Sequence, residues 1–321
     1  MNEAAVLDEK VVGKPGDNKL TPAIEREPLR SIKKKLPLRV LSQEDFDHWQ
    51  TYGFVVVKQA VPAENVEKLK KLLWEFQEMD PNDTSTWNAA QLRNHAMKEL
   101  NNSGMVEIYN HQALWDNRQE QRVYNAFVDI WDDENLWVTI DRANLNTPNR
   151  SSRAFGGFIH TDVDTTLVPL PVNVQGVLSL VDVDGETGGF QCVPELFRTF
   201  EDWKKRQPEG RDGFAPNVEG FEVYPVPMKA GDLMIFNSLL AHGIRPNTSE
   251  NKVRMAQYIS MTPAASENED LRGRRVQSWQ ERRAPEGFAF PGDPREWEQT
   301  KYDTAVLTPL GKKLLGLDSW Q

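Results

Sequence analysis

The sequence predicts a mainly β protein with flanking helices, and three observations carry that prediction. Short segments that read as strands recur from Leu136 onward, the first of them alternating with a period of two. Turn pairs separate several of them: Asp184-Gly185, Gly188-Gly189 and Gly231-Asp232. Helix-spaced apolar residues are concentrated in the first third of the chain. Many short strands at this spacing indicate a sandwich or a barrel with a helical N-terminal part.

Taken in order, residues 1–40 read as a flexible polar lead-in, with Gly and Pro and little periodicity. The basic run Arg30 to Lys35 reads as a solvated arm. Ser42 followed by Glu44 and Asp45 marks a helix start, and Gly53 its end. Phe54–Val57 reads as a strand. Val66, Leu69, Leu72, Leu73 and Phe76 place a helix over 62–79. Further helices are expected over 89–100 and 119–131. Residues 136–144 alternate, with Leu136, Val138 and Ile140 on one face and Arg142 and Asn144 continuing it. Strands are also expected at 155–160, 173–182, 189–193, 221–227, 233–237 and 252–261. The polar stretch 200–220 has the length of a functional lid. Thr308–Gly316 reads as a closing helix or turn. The expected organisation is a single catalytic domain over 41–321, with helical support at 41–135, a core at 136–262 and a C-terminal extension at 263–321.

Composition removes several classes of function. The 321-residue chain carries a net charge of −10, which speaks against a nucleic-acid surface. Its one cysteine, Cys192, excludes an internal disulfide framework or a multi-cysteine zinc site and reads as a small buried residue. There is no membrane-length apolar run and no secretory leader pattern, so a soluble, cytoplasmic protein is expected. Only five histidines are present, so their placement is informative. His48, His95 and His111 lack partner spacing and read as structural, and the tryptophans mostly read as core anchors.

The remaining two histidines carry the chemistry. In Phe158-Ile-His160-Thr-Asp162, His160 and Asp162 lie at i and i+2 and share one side of a strand. His242, just beyond the apolar strand Leu233–Phe236, is the natural third ligand. Two imidazoles and one carboxylate on a shared face suit non-haem Fe(II) with open positions, and zinc also accepts such a set. Arg254 follows on the next strand. Its guanidinium fork suits a carboxylate; the alternative is a surface ion pair on an edge strand.

The order His160-x-Asp162, Gly188-Gly189-x4-Pro194, Gly231-Asp232, His242-Gly243-x3-Asn247-x6-Arg254 resembles the phytanoyl-CoA dioxygenase family. The resemblance spans roughly residues 40–265, with the diagnostic motifs in 155–260. It implies a double-stranded β-helix (jelly-roll, cupin-like) core and an Fe(II)- and 2-oxoglutarate-dependent dioxygenase. Such an enzyme uses O2 to hydroxylate or otherwise oxidise a small molecule and releases succinate and CO2. It implies His160, Asp162 and His242 as metal ligands and Arg254 as partner of the distal carboxylate of 2-oxoglutarate. Asn144 and Gln175 are the polar candidates for the rest of the cofactor pocket. Arg153, with Arg150 and the 200–220 stretch, is the candidate for substrate contact near the mouth. Because Asp162 is present, the vacancy that halogenases of this type use for halide is filled. A biosynthetic small molecule is the expected substrate, with neither nucleic acid nor membrane as partner. Ile244 stands where the family often has Ser, Leu178 where it often has an aromatic, and Pro194-Glu-Leu-Phe197 where Pro-Gly-Ser-His is common. The competing expectations are a cupin-like metal isomerase or hydrolase that does not use 2-oxoglutarate, and a catalytically silent binding protein on the same scaffold.

Overall fold

A computed structural model describes residues 29–91, 104–148, 158–285 and 292–320. The helical first third comprises α1 (Gln43–Tyr52), β1 (Phe54–Val57), α2 (Ala63–Phe76), β2 (Met105–Val106), α3 (Gln112–Arg118) and α4 (Gln121–Trp131). Next come β3 (Leu136–Val138), β4 (Ala143–Asn146), β5 (Val174–Ser179), β6 (Gly189–Cys192), α5 (Pro194–Arg198) and α6 (Phe200–Lys205). Then follow β7 (Tyr224–Pro225), β8 (Leu233–Asn237), β9 (His242–Arg245), β10 (Arg254–Tyr258) and β11 (Met261–Pro263). The chain closes with α7 (Glu269–Glu281), α8 (Trp297–Thr300) and α9 (Pro309–Leu315).

The strands form a six-stranded sheet ordered β1-β8-β5-β10-β4-β2, a three-stranded sheet β7-β6-β9 and a pair β11-β3. All pairings are antiparallel. Side-chain alternation sorts the large sheet into two faces. Val55, Val57, Leu178, Leu233, Ile235, Ala143, Leu145 and Met255 join the core shared with the helices. Phe54, Val177, Met234, Phe236 and Ala256 join a second core shared with Phe190 and Cys192 of the small sheet. The result is a β-sandwich with a helical layer on one side, consistent with the double-stranded β-helix. Asn144, Gln175 and Arg254 have the parity of the inter-sheet face.

Several elements form as expected. Ser42 and Asp45 make a reciprocal capping box on α1, and Gly53 ends that helix in the left-handed region at φ 81°. The helix expected over 62–79 is α2, which buries Val66, Leu69, Leu72, Leu73 and Phe76. Trp49, Trp115 and Trp131 are fully buried anchors. The helix expected over 89–100 and the strand expected at 155–160 fall largely outside the described residues.

Other elements differ. The lead-in expected over 1–40 is docked from Leu29 onward. The buried Asp129 carboxylate accepts the backbone N–H groups of Arg39, Val40 and Leu41 at 2.8, 2.8 and 2.9 Å. Lys34 of the supposed solvated arm pairs with Asp132 at 3.0 Å. Asp129 and Asp132 thus supply the acceptors that a segment outside regular structure lacks. The single strand expected over 136–144 is two strands with different partners, β3 on β11 and β4 on β10. Across the break the phase reverses: Leu136, Val138 and Ile140 face the helices, whereas Asn144 faces the small sheet. The stretch 200–220 begins with α6, whose Phe200 and Trp203 are buried against the inter-sheet core.

The C-terminal extension is tied to the core by buried polar groups. Glu298 of α8 accepts the backbone N–H groups of Tyr109, at 2.8 Å, and of Asn110. Arg275 of α7 donates to the carbonyls of Leu315 and Val138 at 3.1 and 2.6 Å. Burial pushes the Glu298 carboxyl from its ordinary 4.5 up to about 7, against the pull of its two backbone donors. Between these two values the folded protein holds a proton that the unfolded chain has released, so stability falls as pH rises through that window. The melting temperature of the wild type is therefore expected to fall relative to Glu298→Gln as pH goes from about 5 to about 7. Parallel melting curves across that range would contradict this account.

Candidate metal centre

His160 and His242 are joined backbone to backbone. Each N–H donates to the other's carbonyl at 2.8 Å, forming an isolated antiparallel bridge at the edge of the small sheet. The bridge brings Phe158 across Gly243, where any Cβ would collide with the Phe158 carbonyl. Gly243 is therefore required by close backbone approach. Asp162 reaches the same point because its N–H donates to the Ser238 carbonyl at 3.0 Å.

The side chains converge. His160 Nε2 lies 3.4 Å from Asp162 Oδ1, and His242 Nε2 lies 3.4 Å from Asp162 Oδ2. One ligand atom from each of the three residues falls within 4.8 Å of the others, a group that could hold a metal ion. The state of the His242 ring suits that use. His242 Nδ1 sits 2.8 Å from the Leu240 carbonyl, so Nδ1 carries the proton and Nε2 keeps its lone pair. Burial holds His242 below the usual histidine range, more strongly than the Asp162 charge raises it, so the ring is neutral. Phe190 stacks on this ring at 5.1 Å, and Phe236 flanks it at 4.5 Å. Both ring nitrogens of His160 and Asp162 Oδ1 are buried without a hydrogen-bond partner. Buried polar atoms in that condition are costly, and a bound cation would satisfy His160 Nε2 and Asp162 Oδ1 together.

Arg254 lies on β10, an inner strand of the large sheet, so the edge-strand surface pair does not apply. It is 3 % exposed. Its Nη1 donates to Asn144 Oδ1 at 2.8 Å, and among the described residues it has no carboxylate partner. Asn144 is expected in the cofactor pocket; its carbonyl oxygen is placed on Arg254. Gln175 is expected there too; its Nε2 donates to Asp162 Oδ2 at 2.6 Å. Arg150 and Arg153 lie outside the described residues. Ile244, two positions after His242, packs against the inter-sheet core. Leu178 points to the helix-side core, so it is not the residue that lines the site; its neighbour Val177 faces the inter-sheet side. Cys192 stands opposite His242 in register but is not one of the converging groups, and burial pushes its thiol well up. His48 packs on Tyr52 and Phe54, and His111 caps α3 by accepting the Ala113 N–H, both structural roles. His95 lies outside the described residues.

The 200–220 insertion has a role that the sequence did not disclose. The Phe214 carbonyl accepts the N–H of Thr161, the residue between His160 and Asp162. The Gly213 carbonyl accepts from the Thr165 N–H and hydroxyl at 3.0 and 2.7 Å. Arg211 donates to the Thr165 hydroxyl and lies over the Trp203 ring at 4.9 Å. The insertion is thus a strap on the segment that carries two of the three converging residues. Backbone carbonyls of Gly213 and Phe214 make the contacts to Thr161 and Thr165, and those leave no trace in residue identity.

Comparison with known proteins gives the family and the fold. A curated relative, Ava biosynthesis cluster protein O of Aspergillus versicolor, is 22 % identical over 263 residues, covering 74 % of this chain and 84 % of its own. The structure of GlcNAc Inducible Gene 2 from Candida albicans superposes with a TM-score of 0.63 at 12 % identity, over 88 % of this chain and 77 % of that one. A putative oxidoreductase from Salmonella typhimurium LT2 superposes with a TM-score of 0.62 at 16 % identity, over 86 % and 83 % of the two chains. At such identities these two structures establish a shared fold. The phytanoyl-CoA dioxygenase family profile matches residues 49–256, a span that contains the converging triad and Arg254. This chain belongs to the phytanoyl-CoA dioxygenase family.

Proposed function

We propose that this protein is an Fe(II)- and 2-oxoglutarate-dependent dioxygenase that hydroxylates or otherwise oxidises a small molecule. The observation that carries the proposal is Arg254: a guanidinium 3 % exposed, on the inter-sheet face, with no carboxylate beside it among the described residues. A buried charge without a counter-charge is strongly unfavourable and calls for an anionic ligand. Its planar fork matches a carboxylate. A metal isomerase or hydrolase working without 2-oxoglutarate would need an anionic substrate of its own to answer such a group.

His160, Asp162 and His242 would hold the iron, leaving positions open for further ligands. Iron bound there, with 2-oxoglutarate and O2, supplies the oxidising chemistry, with succinate and CO2 as co-products. The chain's own groups bind, orient and exclude water. The Leu240 carbonyl fixes the tautomer of His242. Arg254, held in place by Asn144, would bind the distal carboxylate of 2-oxoglutarate. Phe190, Phe236, Met234, Val177 and Ala256 give that face an apolar wall that keeps water from the reacting centre. Likeness to a protein named for a biosynthetic cluster supports a biosynthetic small molecule as substrate.

Two outcomes test this reading. With Mn(II) bound under anaerobic conditions, calorimetry should show 2-oxoglutarate binding about 30- to 100-fold more weakly to Arg254→Met than to wild type, the loss expected for a charge-assisted pair of about 2–3 kcal/mol. Succinate release should disappear in His160→Ala and Asp162→Ala. Undiminished 2-oxoglutarate affinity in Arg254→Met would overturn the assignment. Separately, Gly243→Ala should lower stability by about 1–3 kcal/mol and weaken Mn(II) binding, because the His160–His242 bridge must open. An unchanged Mn(II) affinity would show that the bridge does not set the centre.

A further inference from the structure

We propose that Gln175 is the positioning residue of the metal centre: it takes Asp162 Oδ2 by a hydrogen bond and so presents Oδ1 as the single carboxylate ligand. This rests on the reading of His160, Asp162 and His242 as metal ligands.

The Asp162 side chain is 1 % exposed. Each of its oxygens lies 3.4 Å from a histidine Nε2, but their hydrogen bonding differs. Oδ2 accepts from Gln175 Nε2 at 2.6 Å, whereas Oδ1 is buried with no hydrogen-bond partner. A carboxylate only accepts, so the amide nitrogen and not the amide oxygen must face it. The torsion that turns a carboxylate about its axis is broad, so burial alone does not set whether one oxygen or both face a metal. The hydrogen bond from Gln175 makes that choice.

The placement is a product of the sheet. Gln175 stands on the inter-sheet face of β5, directly opposite Phe236 of β8. Two residues beyond Phe236, the Ser238 carbonyl holds the Asp162 N–H at 3.0 Å. Adjacent strands therefore fix the backbone and the side chain of one ligand. The amide is also the right donor chemically. Lys or Arg at this distance would cancel the carboxylate charge that attracts the cation, while a neutral amide orients it and leaves the charge in place.

The experiment uses Co(II) alone, followed by calorimetry and by its visible absorption bands, which report ligand geometry. Wild type, Gln175→Leu, Gln175→Met and His160→Ala are compared, each first shown to be folded without metal by circular dichroism and thermal melting. Met keeps an unbranched chain of similar length, so it serves if Leu disturbs the strand. The expected result is Co(II) affinity about 10- to 100-fold weaker in both Gln175 variants, with shifted bands, and 2-oxoglutarate affinity at saturating Co(II) within about twofold of wild type. Wild-type Co(II) affinity combined with weakened 2-oxoglutarate binding would overturn the proposal and place Gln175 in the cofactor pocket. Wild-type behaviour in both titrations would overturn it outright, with the metal centre still standing if His160→Ala alone loses Co(II). If wild type binds Co(II) no better than His160→Ala, the metal centre itself is refuted, and the role of Gln175 with it.

Discussion

The pair of backbone hydrogen bonds between His160 and His242, 2.8 Å each way, is the constraint on which the site depends. Far apart in sequence, the two residues become neighbours only when this bridge closes. Everything nearby serves the approach. Gly243 removes the one Cβ that would block it. The bond from the Asp162 N–H to the Ser238 carbonyl turns the intervening segment so that the carboxylate falls between the two rings. A bridge made by main-chain groups holds the two rings at a fixed approach, whatever their side chains bind.

The large sheet meets opposite demands on its two faces. Its helix-side face is apolar and supplies stability by burying Val, Leu, Ile and Met side chains. The inter-sheet face mixes apolar residues with Asn144, Gln175 and Arg254, polar groups that burial penalises unless they are partnered. The partnering is specific, since Asn144 holds Arg254 and Gln175 holds Asp162. These polar groups stand beside a buried apolar wall of Phe190, Phe236 and Met234.

The additions to the sandwich are load sharers. Asp129 gathers the incoming segment, Glu298 and Arg275 fasten the C-terminal extension, and the carbonyls of Gly213 and Phe214 strap the segment from Thr161 to Thr165. In each case a buried polar group or a main-chain carbonyl satisfies donors that regular secondary structure leaves unpaired. The family profile covers 49–256, so the fastenings by Glu298 and Arg275 lie beyond its matched span.

By itself the sequence determined a mainly β fold of short strands, the helix α2 with its buried stripe, the cap at Ser42, and the residue types and order of His160, Asp162, His242 and Arg254. Those features follow from local periodicity, turn chemistry and spacing, which a chain carries in its own order. The tertiary structure decided the rest. The phase change between β3 and β4 put Asn144 on the inter-sheet face, and pairing of β10 between β5 and β4 made Arg254 a buried charge rather than an edge ion pair. The strap from 211–214 and the grip of Gln175 on Asp162 were likewise invisible, although the residue types were on view. The physical reason is that strand pairing and hydrogen bonding to carbonyls depend on which segments meet in space. Distant segments meet only once the whole sheet has closed.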